Sequence, residues 1–140
     1  MTITLTVSGK INRPVEEVFK FHAIDHIQNH PKWDDTIQLE PITEGAMGVG
    51  TLVTRIVSRG GTVVEGQMEI LEFEPNKAIA AKINDGGMEI TSRVSYEPDG
   101  PDRTIMTTTV NLPDSAEELR DMIEGLLNRS LNNIRKLVEA

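Results

Sequence analysis

Apolar and polar residues alternate from Thr2 to Ile11: Ile3, Leu5, Val7 and Ile11 fall on one side, Thr2, Thr4, Thr6, Ser8 and Lys10 on the other. A period of two belongs to a strand with one buried face. Gly9 interrupts the apolar side, where a bend or a bulge is expected. The period then changes. Pro14 follows Asn12-Arg13 as a residue suited to a first helical turn, and Val15, Val18, Phe19 and His22 share one face at helical spacing. A second short helix is expected over about residues 25–29, ended by Pro31 ahead of Trp33.

From residue 37 the helical period is lost until the last quarter of the chain. Strands are predicted over 36–42, 51–58 and 62–73, then one carrying Ile79, Ala81 and Ile83. Another carries Met88, Ile90, Val94 and Tyr96, and a last one covers 103–112. Turn residues separate them: the glycine-rich residues 44–50, Arg59-Gly60-Gly61, Glu74-Pro75-Asn76-Lys77, Asp85-Gly86-Gly87 and residues 98–102.

Residues 113–140, PDSAEELRDMIEGLLNRSLNNIRKLVEA, return to helical spacing. Leu119, Met122, Ile123, Leu126, Leu127, Ile134, Leu137 and Val138 make one wide apolar stripe on a helix of about seven turns. Ser115 and Glu118 have the spacing of a capping box, which predicts the helix start there. Ser130 projects from the centre of the stripe and Asn133 from near its edge. The Ser130 hydroxyl either bonds the carbonyl one turn back or faces something other than solid core. A helix this one-sided needs a broad apolar surface, and the strands offer one. The expected fold class is α+β, a seven-stranded antiparallel sheet covered by one long helix, with two short helices between strands one and two. One domain over residues 1–140 is expected.

Composition narrows the function. Lys+Arg total 14 against 22 Asp+Glu, a formal charge of −8, so a nucleic acid is repelled on average. Aromatic residues at 4% leave few platforms for stacking bases. No apolar run approaches the roughly 20 residues of a membrane span. The opening MTITLTVSGK has neither the basic start nor the apolar core of a secretory signal. Zero cysteines remove disulfides, a thiolate nucleophile and Cys-ligated zinc together. A cytoplasmic location is the expectation.

Three stretches carry a resemblance. They are INRPVEEVFKFHAIDHIQNHPKW with its Pro14 and Trp33, the GVGT of residues 48–51 ahead of the third strand, and the EFEPNK of residues 72–77 that closes the fourth. With the element order, they are similar to the START/SRPBCC helix-grip superfamily, above all to its bacterial polyketide cyclase/dehydrase-like branch. The likeness covers essentially the whole chain. It implies a curved seven-stranded sheet wrapped around the C-terminal helix, with a cavity between them large enough for a lipid-like or polycyclic ligand. Met122, Leu126, Ser130 and Asn133 of the helix and Met68, Ile83, Met88 and Tyr96 of the strands would face that space. Six methionines suit an adaptable lining, or are simply core filler. The resemblance further implies that some members cyclise or dehydrate a bound molecule, while others act through protein partners. The shared stretches are structural punctuation and name no reaction.

Residues able to carry chemistry are few. His22, His26 and His30 recur every four residues, a spacing at which helical histidines can ligate zinc. However, Ala23 stands where HExxH needs glutamate, and a second helix starting near Asp25 would break the common face. No metal site is expected. His22 is expected to pack at a helix end, and His26 and His30 to lie on the surface near the cavity mouth. Asp34-Asp35 reads as a solvated loop. There is no G-x-S-x-G, and Gly48-Val49-Gly50 lacks the lysine and the following helix of a phosphate loop.

By alternation Arg93 meets solvent, whereas Arg55 shares the face of Val53 and Val57 and is the charged residue expected to point inward. No buried acid or base is expected, which weakens an enzymatic reading. The expected function is binding of a hydrophobic small molecule under the long helix, oriented by Ser130, Asn133 or Tyr96, without a cofactor. Two other readings stay open. One is a cyclase/dehydratase-like enzyme in which His22, Arg55 or Tyr96 polarises a poly-β-keto substrate. The other is a module that engages a protein partner. The oligomeric state is left open.

Overall fold

The computed structural model describes residues 2–140. Among them, seven strands form one antiparallel sheet: β1 (Thr2–Ile11), β2 (Ile37–Pro41), β3 (Leu52–Arg59), β4 (Thr62–Glu74), β5 (Ala78–Asp85), β6 (Met88–Pro98) and β7 (Thr104–Pro113). Strands β2 to β7 pair in chain order, and β1 lies beside β7 with Thr2 opposite Pro113 and Ile11 opposite Thr104. Helices α1 (Val15–Phe19) and α2 (His26–Trp33) stand between β1 and β2, and α3 (Arg120–Glu139) follows β7. This is the helix-grip architecture that the alternation and the long apolar stripe predict.

The period of two holds residue by residue in β1. Ile3, Leu5, Val7 and Ile11 are buried, while the outward side carries a polar ladder to β7. Thr4 donates to Asn111 at 2.8 Å, and Ser8 and Thr107 share a hydrogen bond at 3.0 Å. Such cross-strand hydroxyl pairs add a few tenths of a kcal/mol to 1 kcal/mol each. Gly9 makes neither bend nor bulge, for the β1–β7 register runs through it without a shift. A Cβ there would stand 3.1 Å from the Leu131 side chain, so the glycine marks where α3 crosses closest. The sheet's irregularity lies instead in β4, between Ile70 and Glu72.

One helical boundary after β1 is as expected and one is not. α1 runs into one π-helical turn, Lys20–Ile24, closed by the Asp25 amide donating to the Lys20 carbonyl at 2.9 Å; Asp25 leaves helical geometry, and α2 starts at the next residue. Pro31 lies inside α2 rather than ending it. The ring forgoes one backbone hydrogen bond, and the buried Trp33, stacked on His30 and His22, holds the last turn in place.

At the other end of the chain the capping box does not form. Residues Asp114–Leu119 make a tight 3-10 segment, no side chain caps it, and α3 begins only at Arg120. The tighter turn tucks Ala116 into a small apolar cluster with Ile3, Leu5, Val110 and Leu112. A larger cluster occupies the rest of the concave side, with Ile11, Val18, Phe19, Val53, Ile70 and Met106 almost fully enclosed.

Candidate functional site

Between the concave face of the sheet and the middle of α3 lies a cavity of about 140 Å³. Its floor is mostly apolar: Met68 and Ile70 from β4, Ile79, Ala81 and Ile83 from β5, Val94 from β6 and Met106 from β7, with the hydroxyl residues Ser92 of β6 and Thr108 of β7 among them. Leu127, Ser130, Leu131 and Ile134 of α3 form the roof. The remaining wall is polar and comes from α2, its preceding π turn and β3: His22, His26, His30, Trp33 and Arg55.

His22 stands in the π turn and His26 and His30 in α2, and the three rings form a row. His26 Nδ1 lies 2.7 Å from the His22 carbonyl oxygen, and His30 Nδ1 lies 3.0 Å from His26 Nε2. Trp33 stacks on His22 at 5.1 Å and on His30 at 4.9 Å between ring centres. Behind the row, the buried Tyr96 hydroxyl is hydrogen-bonded to His22 Nδ1.

Burial disfavours the charged form of every ring in the row. It holds His22 well below the usual histidine range, helped by His26. His26 is lowered to about 4, burial outweighing the opposing hydrogen bond to the His22 carbonyl, with Arg55 adding repulsion. His30 is lowered by burial first, then by His26 and Arg55. Burial pushes the Tyr96 phenol up. At neutral pH the wall is therefore a row of uncharged imidazoles beside one guanidinium.

Arg55 is held by a two-pronged ion pair that spans a strand. Its Nε and Nη2 each donate to a carboxylate oxygen of Asp85 at 3.1 Å. Arg55 on β3 and Asp85 on β5 both face Gly66 on the intervening β4. A Cβ on Gly66 would meet Asp85 Oδ1 at 2.6 Å and the Asn84 carbonyl oxygen at 2.2 Å. The missing side chain is what lets the pair close over the strand. The signal in the sequence was a glycine inside a strand, which marks a close approach.

The candidate residues scatter over three environments. Met68, Ile83, Ser130, His22 and Arg55 line the cavity. Leu126 and Asn133 border an outer recess of about 330 Å³, which shares Trp33 and Ser130 with the cavity and is otherwise lined by polar residues of α2, the loop after it and α3. Asn133 donates from Nδ2 to the Trp33 carbonyl oxygen at 3.0 Å, tying α3 to the end of α2. Tyr96 stands behind His22 and does not border the cavity.

Met88 packs against the small Ile3–Leu112 cluster, and Met122 is half exposed on the outer side of α3, so neither faces the enclosed space. His26 and His30 were expected on the surface. They line the cavity instead. Asp34 is not solvated either. Arg59 donates to it at 3.0 Å, and the Thr36 amide at 3.1 Å. Arg93 is exposed and paired with Glu72.

No cluster of three or more metal-ligating side chains occurs among the described residues, and no helix there is long and apolar enough to cross a membrane.

The sequence matches the family described as polyketide cyclase / dehydrase and lipid transport over residues 2–139. The chain belongs to that family. No curated protein matches it. Solved structures match its fold at low identity. The crystal structure of Ara h 8.0201 superposes with a TM-score of 0.81 at 15% identity, covering 99% of this chain and 98% of that one. The Zhui aromatase/cyclase from a Streptomyces species gives 0.78 at 17%, covering 99% and 94%. Norcoclaurine synthase from Thalictrum flavum, in complex with dopamine and hydroxybenzaldehyde, gives 0.75 at 16%, covering 99% and 87%. At these identities the likeness is one of fold. Within the polyketide cyclase / dehydrase and lipid transport family, fold alone does not choose between carriage and catalysis.

Proposed function

We propose that this chain binds an apolar molecule about the size of a single ring in the cavity under α3. The observation that carries this reading is the cavity's volume of about 140 Å³ with a mostly apolar floor and roof. An apolar protein cavity of about 150 Å³ holds a benzene-sized ring, whereas drug-sized ligands occupy roughly 300 Å³ or more. A polycyclic ligand needs the outer recess as well, with the Trp33–Ser130 partition displaced. The family match supports a small-molecule role over an interaction module. Fluorobenzene followed by fluorine NMR tests the reading. Its signal broadens or shifts on adding protein, and Ala81→Leu, which fills the floor, removes the effect. A signal unchanged by the wild-type protein, or equally changed by Ala81→Leu, refutes it.

One observation favours a second reading, a cyclase/dehydratase-like enzyme. Neutral imidazoles border the cavity, and such a group can hydrogen-bond the proton that leaves a substrate, as a weak base where burial lowers it to about 4. A co-purifying ligand incubated with the protein separates the two readings. Unchanged mass supports carriage, and loss of water supports a dehydratase. Arg55→Ala is a poor test of either, because it strands the nearly buried Asp85 carboxylate.

A further inference from the structure

The histidine row has a direction, and it sets what the cavity accepts. A carbonyl oxygen can only accept, so His26 Nδ1, 2.7 Å from the His22 carbonyl, carries the proton. A neutral His26 then has a lone pair on Nε2. His30 Nδ1, 3.0 Å away, must donate to it. A neutral His30 is left with a lone pair on Nε2. Among the described residues that nitrogen has no hydrogen-bond partner, and no sealed side-chain nitrogen or oxygen lacks one. His30 Nε2 therefore meets open space; the residue is half-buried and lines the cavity, and Nε2 is inferred to lie on the cavity side. Burial, His26 and the two nearby guanidiniums, Arg55 and Arg59, all oppose its protonation.

The other end of the row has the opposite sense. The buried Tyr96 hydroxyl has His22 Nδ1 as its hydrogen-bond partner, so its proton goes there. His22 then carries its own proton on Nε2. Arg55 offers only donors. His30 Nε2 is thus the one imidazole nitrogen of the row that waits for a donor.

We propose that His30 is a specificity-determining residue, which selects ring compounds bearing an O–H or N–H group over equally sized rings that lack one. An ether or a hydrocarbon leaves the His30 lone pair unmet, and an ionised carboxylate sets a second acceptor against it. This inference rests on ring binding in the cavity. Calorimetric titration with phenol, anisole and toluene tests it. Phenol binds about tenfold or more tightly than either of the others. His30→Phe keeps a ring on Trp33, removes Nε2, and brings the three affinities within about twofold of one another.

Equal affinities for the wild-type protein overturn the role of His30 while leaving ring binding intact. Failure of all three to bind overturns ring binding itself. A measurement without any variant stands beside these. Long-range proton–nitrogen NMR of the wild-type protein should find His30 protonated at Nδ1, and protonation at Nε2 overturns the inference.

Discussion

The two ends of the concave side are built in opposite ways. At one end, α1, the π turn and α2 are short, carry a proline, and have little helical propensity, yet Val18, Phe19 and Ala23 are completely enclosed. Phe19 meets Phe73 and Tyr96 edge-on at 5.3 and 5.1 Å. At the other end, α3 has the strongest apolar stripe in the chain and yet encloses only Ile134 among its described residues. Met122 is 51% exposed and Leu137 39%. The difference lies beneath the helices. Aromatic rings fill the space under α1, whereas the middle of α3 roofs a cavity, so Leu127 and Leu131 border that space as well as packing on the core. A clear sequence period therefore marks which face turns inward, not how tightly that face is packed.

This contrast can be broken most sharply at Phe19. Phe19→Ala should cost about 4 kcal/mol, read as a large fall in the urea midpoint. A loss below about 1 kcal/mol would mean that the α1 end is as loosely packed as the α3 end. The next largest effect is one of pH. Above about pH 6.5 His26 is neutral in both folded and unfolded chains. As the pH falls, the unfolded chain takes up the proton, while the folded one resists it until about 4. Stability is thus complete at neutral pH and is lost progressively on acidification, by about 3 kcal/mol from His26 alone.

His22 and His30 act in the same direction, and Arg55 faces them from β3. Urea midpoints measured from neutral to about pH 4.5 should fall steadily, and His26→Phe should flatten the trend. A wild-type midpoint that stays constant over that range contradicts the buried neutral row.

Smaller effects probe the junction and the exposed end. Asn133→Ala removes the tie from α3 to the Trp33 carbonyl and should cost about 1 kcal/mol. It should also speed hydrogen exchange at the end of α2; unchanged exchange there would show that the tie does not restrain the two helices. Met122→Glu should shift stability by no more than about 0.5 kcal/mol, since Met122 packs little. A loss of several kcal/mol at Met122 would reveal that α3 is far better covered in solution than its exposure indicates.

Much of this molecule was legible in its residues, and the physical reason is periodicity. Alternation in β1, the turn glycines and the stripe of α3 each depend on neighbours a few positions away. They determined the seven-stranded sheet and the long closing helix, whereas the family was legible only through the resemblance of residues 11–33, 48–51 and 72–77. The inward face of Met68 and Ile83 followed from the same rule.

Other features depend on residues far apart in the chain, and only the tertiary structure decided them. The capping spacing of Ser115 and Glu118 lost to burial of Ala116 against Ile3 and Leu112. A π turn invisible to a 3.6-residue period precedes α2, whose His26 and His30 line the cavity. Gly66, inside the strand predicted over 62–73, opened the gap through which Arg55 reaches Asp85. The sequence alone thus determined which faces turn inward. The cavity wall was decided by packing, because an uncharged histidine row and a strand-crossing ion pair exist only once distant segments exclude water from them.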